Sequence, residues 1–382
     1  SRVPVGPVAA YLGTGPRRGL GGRADLRAEV DGGWPGPLTV DGRLQWREGT
    51  VTWPGPLTRP LDGLALETGL RWEREDGRST LSFGDLRLER GGLVLDGSGT
   101  LEWGERVGAP RVDARARLQE ATVAELRPWA REVRLPGKLG QWLRDALPDG
   151  RVEGARLRLR GPLPRFPFPE GEGEFRVEAE VAGVRLAYHP EWPAVEDLAG
   201  TLVLERERLA FRAEGGRILG SPLGKLRFSI HDLMADPPEL RLQGGMDLAL
   251  RDGIRLLEAS PLQEKGFLGP AALRGPARLE LDLALPLARG AKPEVVGRLD
   301  LRGGRFRARP DLPPLAGITG AVGFSGKTLR SRDLTGRLLG QAVALRLDRR
   351  EGAPVTALVQ GRFPAEVLRR ELARRGLPFS LE

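Results

Sequence analysis

Residues 279–287 read Leu-Glu-Leu-Asp-Leu-Ala-Leu-Pro-Leu. Leu279, Leu281, Leu283, Leu285 and Leu287 alternate with Glu280, Asp282, Ala284 and Pro286. Neighbouring side chains of a β-strand point to opposite faces, so this stretch has one greasy side and one charged or small side. The same period of two recurs along the chain. Phe175, Val177 and Val181 alternate with Arg176, Glu178 and Glu180. Further pairs are Leu157 with Leu159, Leu202 with Leu204, Leu226 with Phe228, Leu240 with Leu242, Leu248 with Leu250, Val322 with Phe324, and Val343 with Leu345. The fold class these segments predict is mainly β: an elongated, curled antiparallel sheet, greasy on one side.

Composition agrees. Gly (54) and Pro (32) make up nearly a quarter of the 382 residues, with no Gly-X-Y period. Punctuation this dense favours many strands joined by turns over long helices. Four short helical segments are expected. Thr122 with Glu125 forms a capping box for a helix to about Val133. Lys138–Leu147 places Leu139, Trp142, Leu143 and Ala146 on one stripe before Pro148-Asp149-Gly150. Ile254–Ala259 and Ala365–Arg375 complete the set.

The formal charge of +9 comes almost wholly from Arg, since Lys occurs only at 138, 225, 265, 292 and 327. Acidic residues interleave with the Arg, as in Arg71-Trp72-Glu73-Arg74-Glu75-Asp76, which describes a solvated face. A nucleic-acid surface gathers its basic residues into a patch with stacking aromatics, so no nucleic-acid partner is expected. Cysteine is absent, which removes disulfides, thiolate metal sites and a Cys nucleophile. No run of about eighteen apolar residues occurs. The chain starts Ser1-Arg2-Val3-Pro4 and ends Phe379-Ser380-Leu381-Glu382, as a piece of something longer would. Any anchoring segment is then expected to lie outside it.

Residues 181–220 align without a gap on 301–340. Gly183, Arg185, Pro190, Gly200, Leu209, Arg212 and Gly216 recur as Gly303, Arg305, Pro310, Gly320, Leu329, Arg332 and Gly336. Repeated supersecondary units build stacked, quasi-one-dimensional architectures. The expected division is a β-groove segment over 1–120, a helical segment over 121–150, a β-groove segment with the internal repeat over 151–363, and a helix over 364–376 leading to further sheet.

A one-faced sheet must cover its apolar side with a second layer, helices or a ligand. Four short helices are too few. A sheet curled around its own greasy side leaves a trough lined by aliphatic side chains, and hydrocarbon fits such a lining. The alternating residues named above are the expected lipid-groove lining, with no catalytic residue, metal or cofactor.

Certain motifs make a resemblance specific. Trp142-Leu143-Arg144-Asp145-Ala146-Leu147, Gly150-Arg151-Val152, Leu157 to Gly161, Phe166-Pro167-Phe168, Tyr188-His189-Pro190-Glu191-Trp192-Pro193 and Ser260-Pro261-Leu262 together resemble the YhdP branch of the AsmA-like family. The match covers about residues 120–380, and the first third more loosely. The resemblance implies a periplasmic protein anchored in the inner membrane by a segment absent here. It also implies a taco-like β-groove that moves phospholipid, or another acyl lipid, toward the outer membrane, with possible envelope protein partners at its ends.

Other patterns are weaker. Gly323-Phe324-Ser325-Gly326-Lys327-Thr328 lacks the first Gly of a P-loop, which needs Gly-x₄-Gly-Lys-Ser/Thr, and reads as a hairpin turn. His189 and His231 have no metal-ligand spacing. No Gly-x-Ser-x-Gly elbow occurs. Barrel strands that cross membranes run about 9–11 residues with aromatic girdles. The alternating segments here read as mostly shorter, with few aromatics and a charged face. A structural or adhesive β-repeat scaffold with a closed, dry interior is the alternative. Under the groove assignment, Leu281→Asp or Leu248→Asp is expected to block lipid flux through a full-length carrier, because an unpaired charge interrupts the hydrocarbon path.

Overall fold

The computed structural model describes residues 19–374 except 34–35, 53–56, 106, 108, 133–144, 189–191, 260–272, 289 and 308–311. The first strands are β1 (Gly19–Gly32), β2 (Leu38–Thr52), β3 (Leu61–Glu75), β4 (Arg78–Arg90), β5 (Leu93–Gly104) and β6 (Arg111–Leu118). The two-residue β7 (Ala121–Thr122) leads into helix α1 (Val123–Glu132). The sheet continues with β8 (Asp149–Pro162), β9 (Glu174–Leu186), β10 (Val195–Glu205), β11 (Arg208–Ile218), the short β12 (Ser221–Pro222), β13 (Leu226–Ile230) and β14 (Glu239–Ala249). Helix α2 (Leu250–Glu258) and the short β15 (Leu273–Arg274) follow. Last come β16 (Pro276–Pro286), β17 (Glu294–Phe306), β18 (Leu315–Ser325), β19 (Thr328–Leu338), β20 (Gln341–Arg349), β21 (Thr356–Gly361) and helix α3 (Ala365–Arg374).

All 21 strands belong to one antiparallel sheet in which each long strand pairs with the next long strand. Among the described residues β1 pairs only with β2 and β21 only with β20, so the sheet is open. At roughly 4.8 Å per strand the meander runs on the order of 80 Å along its hydrogen-bonding direction. Antiparallel order sends the C-terminal ends of β6, β14 and β21 to the same side. The three described helices therefore lie along one margin of the sheet, while the tight hairpins divide between the margins: Asp76-Gly77, Arg206-Glu207 and Gly326-Lys327 turn at the far one, and Gly91-Gly92 and Leu339-Gly340 turn beside the helices. Helices at one margin cannot form a second layer.

Most strands are longer than the sequence suggested: β2 and β3 each have 15 residues and β17 has 13. Bulges account for the difference. An extra residue resets the alternation within one strand, so a continuous strand looks like two short ones in the sequence. The resets occur at Glu48, Asp85, Gly183, Asp197, Gly303, Gly317 and Asp333, where φ is positive, most of them toward the helix margin. A bulge bends its strand and strengthens the local twist.

The bounds of β9, β10 and β11 are each offset by 120 residues from those of β17, β18 and β19. The hairpin at Gly326-Lys327 closes the pair Ser325–Thr328, just as Arg206-Glu207 closes Glu205–Arg208. Gly326 and Arg206 share a φ of 52°. The glycine-lysine segment is thus a hairpin turn.

Helix α1 begins as its capping box requires: Thr122 Oγ1 accepts from Glu125 N–H at 3.2 Å, and Glu125 Oε2 accepts from Thr122 N–H at 2.7 Å. The expected helix at 138–147 lies largely outside the described residues, and only its end, Asp145–Ala146, is seen as helical. Helix α2 starts four residues before the expected Ile254, because Leu250 turns in toward Ala277, Leu301 and Ile318.

The C-terminal end of α1 is tied to the start of β3. Thr58 donates its N–H to Glu132 O at 2.7 Å and its hydroxyl to Arg131 O at 2.8 Å. The Glu132 carboxylate, 4% exposed as a residue, accepts from Arg90 Nη2 at 2.9 Å and Arg59 Nη2 at 3.1 Å. Arg90 also sits 5.0 Å over the Trp129 ring. The Arg90 hydrogen bond holds the Glu132 carboxyl below its ordinary value, against the opposing effect of burial. Glu132→Gln is expected to cost about 3 kcal/mol at neutral pH, as breaking a buried pair does. A depressed folded-state carboxyl stabilises fully above the ordinary carboxylate range, and that contribution is lost as pH falls through the folded value. Denaturant unfolding of wild type and variant should therefore converge at acid pH.

Candidate functional site: a continuous apolar face

Cross-strand register assembles one row of apolar side chains across fourteen consecutive ladder positions. It runs Ala24, Trp46, Leu66, Leu88, Leu95, Leu118, Ala155, Ala179, Leu202, Phe211, Phe228, Leu242, Leu283 and Val295, each directly opposite the next. Parallel rows flank it. Leu157 faces Val177, which faces Leu204, and Met246, Leu279, Leu299 and Val322 form another. Beyond the Asp333 bulge, Leu334, Leu345 and Val359 continue the apolar side.

The opposite face is a lattice of ion pairs. Arg158 reaches Asp113 at 2.7 Å, Arg176 reaches Glu205 at 3.0 Å and Arg78 reaches Glu102 at 2.6 Å, each across to the neighbouring strand. Exposed pairs of this kind add little stability. They do penalise a slipped register, which would set charge against the greasy side.

All the lining residues expected from sequence except Leu250 lie on strands, and their register or packing puts them on this one side. Leu250, the first residue of α2, approaches the same apolar cluster from the helix. Their accessibility divides them. Leu157, Leu159, Phe175, Val177, Val181, Leu202, Leu204, Leu279, Leu281, Phe324 and Leu345 are half-buried. Leu226, Phe228, Leu240, Leu242, Leu248, Leu250, Leu283, Leu285, Val322 and Val343 are buried. Leu283 and Leu285 are only 1% exposed, and Val295 2%. Side chains so enclosed touch other side chains and have no free surface for a ligand.

The fill has identifiable sources. The Phe211 and Phe228 rings pack at a tilt of 51° with centroids 5.9 Å apart. Leu233, Leu256 and Leu287 pack onto the cluster from the strand margins. Leu281 stands between Gly244 and Gly297, and neighbours lean over both glycines: a Cβ on Gly297 would lie 2.2 Å from the Phe324 ring. By contrast β5 and β6 contribute Gly97, Gly99, Ala114 and Ala116 to the apolar side, a shallow floor of small residues.

Sequence reasoning placed a groove segment over 1–120 but named no lining residue in it. Its row uses Ala and Trp as well as Leu, Gly97 and Gly99 flank it, and the bulges at Glu48 and Asp85 break the visible period. The alternation Val112, Ala114, Ala116, Leu118 was the available signal.

The YhdP protein family profile matches residues 18–378. This chain belongs to the YhdP family. Among curated proteins, the Escherichia coli K12 protein named "Intermembrane phospholipid transporter YhdP" is 25% identical over 222 residues. The alignment covers 57% of this chain and 17% of that YhdP protein, so the chain spans a minor part of its relative's length. No solved structure matches. No helix among the described residues is long and apolar enough to cross a membrane.

With no native cysteine, accessibility can be read by single substitutions. Leu157→Cys and Leu204→Cys are expected to react with an apolar maleimide at least about ten-fold faster than Leu283→Cys and Leu285→Cys, since reactivity follows exposure. Equal rates would mean that the buried stretch is open in solution.

Proposed function

We propose that this chain is a section of a bridge-like lipid carrier, in which acyl chains rest in a trough formed by the apolar face, and not an enzyme. The observation that carries this is the apolar row across fourteen strands. A globular core needs a compact cluster, whereas a row of that extent lines many strands with apolar side chains and leaves no polar gap. At about 0.8 kcal/mol per CH₂, a sixteen-carbon tail leaving such a lining for water would lose roughly 12 kcal/mol. Movement between membranes therefore requires that the lining have no polar gap. The bulges along the helix margin support a sheet that curls around its apolar side. The name of the E. coli relative supports phospholipid as cargo and the space between two membranes as location. Periplasmic residence, an inner-membrane anchor outside this chain and envelope proteins at the trough ends belong to the same proposal.

The half-buried residues of β8, β9 and β10 are the surface available to cargo. The enclosed residues of β13, β14, β16 and β17 form a stretch that must part for a tail to pass. A closed scaffold would show that enclosure along its whole length, and the half-buried strands favour the carrier.

Photo-crosslinkers at Leu157, Val177 and Leu202 should capture phospholipid detectable by mass spectrometry, and crosslinkers at the outward Arg156 and Glu178 should not. A chain that purifies without lipid and gives no crosslink at any of these positions would instead be a scaffold.

A further inference from the structure

The two repeat units share strand boundaries and differ in charge. Residues 174–218 carry nine acidic and six basic side chains, whereas residues 294–338 carry four acidic and nine basic. The first unit is β9–β11 and the second is β17–β19. The reversal falls on the outward side of the sheet, where Glu178 of the first unit has Arg298 as its counterpart. Ala182 and Ala210 likewise correspond to Arg302 and Arg330. All three arginines are exposed, as is Arg332. Arg298 and Arg330 both stand across from Gly323, and Arg332 from Ala321, so β18 offers them no carboxylate. Arg298 reaches Asp300, Arg302 reaches Asp247 and Arg330 reaches Asp348, but these are exposed pairs that hold their partners weakly.

The acidic and basic faces lie on the same side of one sheet, with β10 and β18 six ladder steps apart. That is about 29 Å at roughly 4.8 Å per step, well beyond the distance over which salt lets exposed charges feel each other. The two faces therefore cannot meet or neutralise each other within a molecule. They can meet between molecules, and both halves of the complement stand on this one chain. We propose that the basic outer face of β17–β19 docks on the acidic outer face of β9–β11 of a second copy, so that carriers lie side by side. Such a contact is heterologous and repeats from one molecule to the next. It is three strands wide, about 10 Å by 35 Å, and falls short of the roughly 800 Å² per partner of a stable interface. It is therefore weak and driven by charge. The apolar side takes no part, so this docking stands or falls separately from the trough.

Analytical ultracentrifugation of the purified chain is expected to show self-association at about 0.05 M salt, with a Kd at least about ten-fold weaker at about 0.5 M. Association through apolar sides is not screened; its persistence in salt would overturn the docking. Arg330→Glu with Arg332→Glu removes the excess charge of the basic face, and Glu178→Arg with Glu180→Arg removes that of the acidic face. Each double variant alone should stay monomeric where wild type associates, with its circular dichroism unchanged. Mixed, the two should associate within about three-fold of the wild-type Kd, because one keeps an intact acidic face and the other an intact basic face. Should one variant unfold, the other carries the test alone: it should bind wild type but not itself. Variants that associate as wild type does, or a mixture that stays monomeric, would overturn the docking. So would a wild type that is monomeric at low salt. If that monomer sediments with phosphatidylglycerol vesicles and the arginine variant does not, the basic face belongs to a membrane surface instead.

Discussion

Strand register is the constraint on which everything else depends. In an antiparallel ladder a side chain's parity is fixed by its partner's parity, so one strand in phase fixes the next. Leu283 sits opposite Leu242 and Val295, and Arg278 on the other face reaches Asp247. A slip of one residue would carry the leucines into the ion-pair lattice and the arginines into the hydrocarbon. That penalty is repeated at every rung, and the result is one greasy side maintained over the length of the meander.

Bulges make this compatible with curvature. An extra residue at Asp197 or Gly317 shifts parity within its strand, and the neighbouring strand carries a compensating irregularity, so the apolar rows resume in phase. The twofold appearance of this arrangement, 120 residues apart, shows that the bend belongs to the repeating unit. Helix α1 uses the same margin. It spans the ends of several strands from its start beside β8 to its latch at Thr58 and Glu132, and Leu126 and Trp129 pack over Leu93, Leu95 and Leu118. The helices therefore trim one side of the sheet without roofing it.

The apolar side is continuous in composition but uneven in access. Small residues on β5 and β6 leave it shallow, Leu157, Leu159, Val177, Val181, Leu202 and Leu204 of β8 to β10 stand half-covered, and aromatic and aliphatic side chains close it between β11 and β17. In a proposed lipid path these stretches have different work: a place to hold a tail, a wall along which it slides, and a region where side chains must move aside. Side chains displaced from close packing lose dispersion contacts and regain them on an entering tail. The exchange is nearly balanced only if the entering group is itself hydrocarbon.

Much of the architecture was written in local patterns. Period-two alternation at 279–287 and 175–181, the capping box at Thr122 and Glu125, and the 120-residue repeat each depend on residues near one another in the chain, so β content, polarity and repetition were legible by inspection. What could not be read there depends on contacts between distant residues. Bulges hid the true strand lengths, because a local parity reset looks like a strand end until the partner strand is known. The individual lining residues of β1 to β6 were not legible because alanine and glycine acquire their meaning only from the leucines opposite them. Leu250 was placed on a strand because Leu248 and Leu250 alternate, whereas burial against Ala277 and Leu301 pulls it into a helix. Sequence determined that one side of the sheet is apolar, since side-chain direction alternates with the backbone. Tertiary structure alone decided how much of that side is open, because enclosure is set by which side chains meet across the folded sheet.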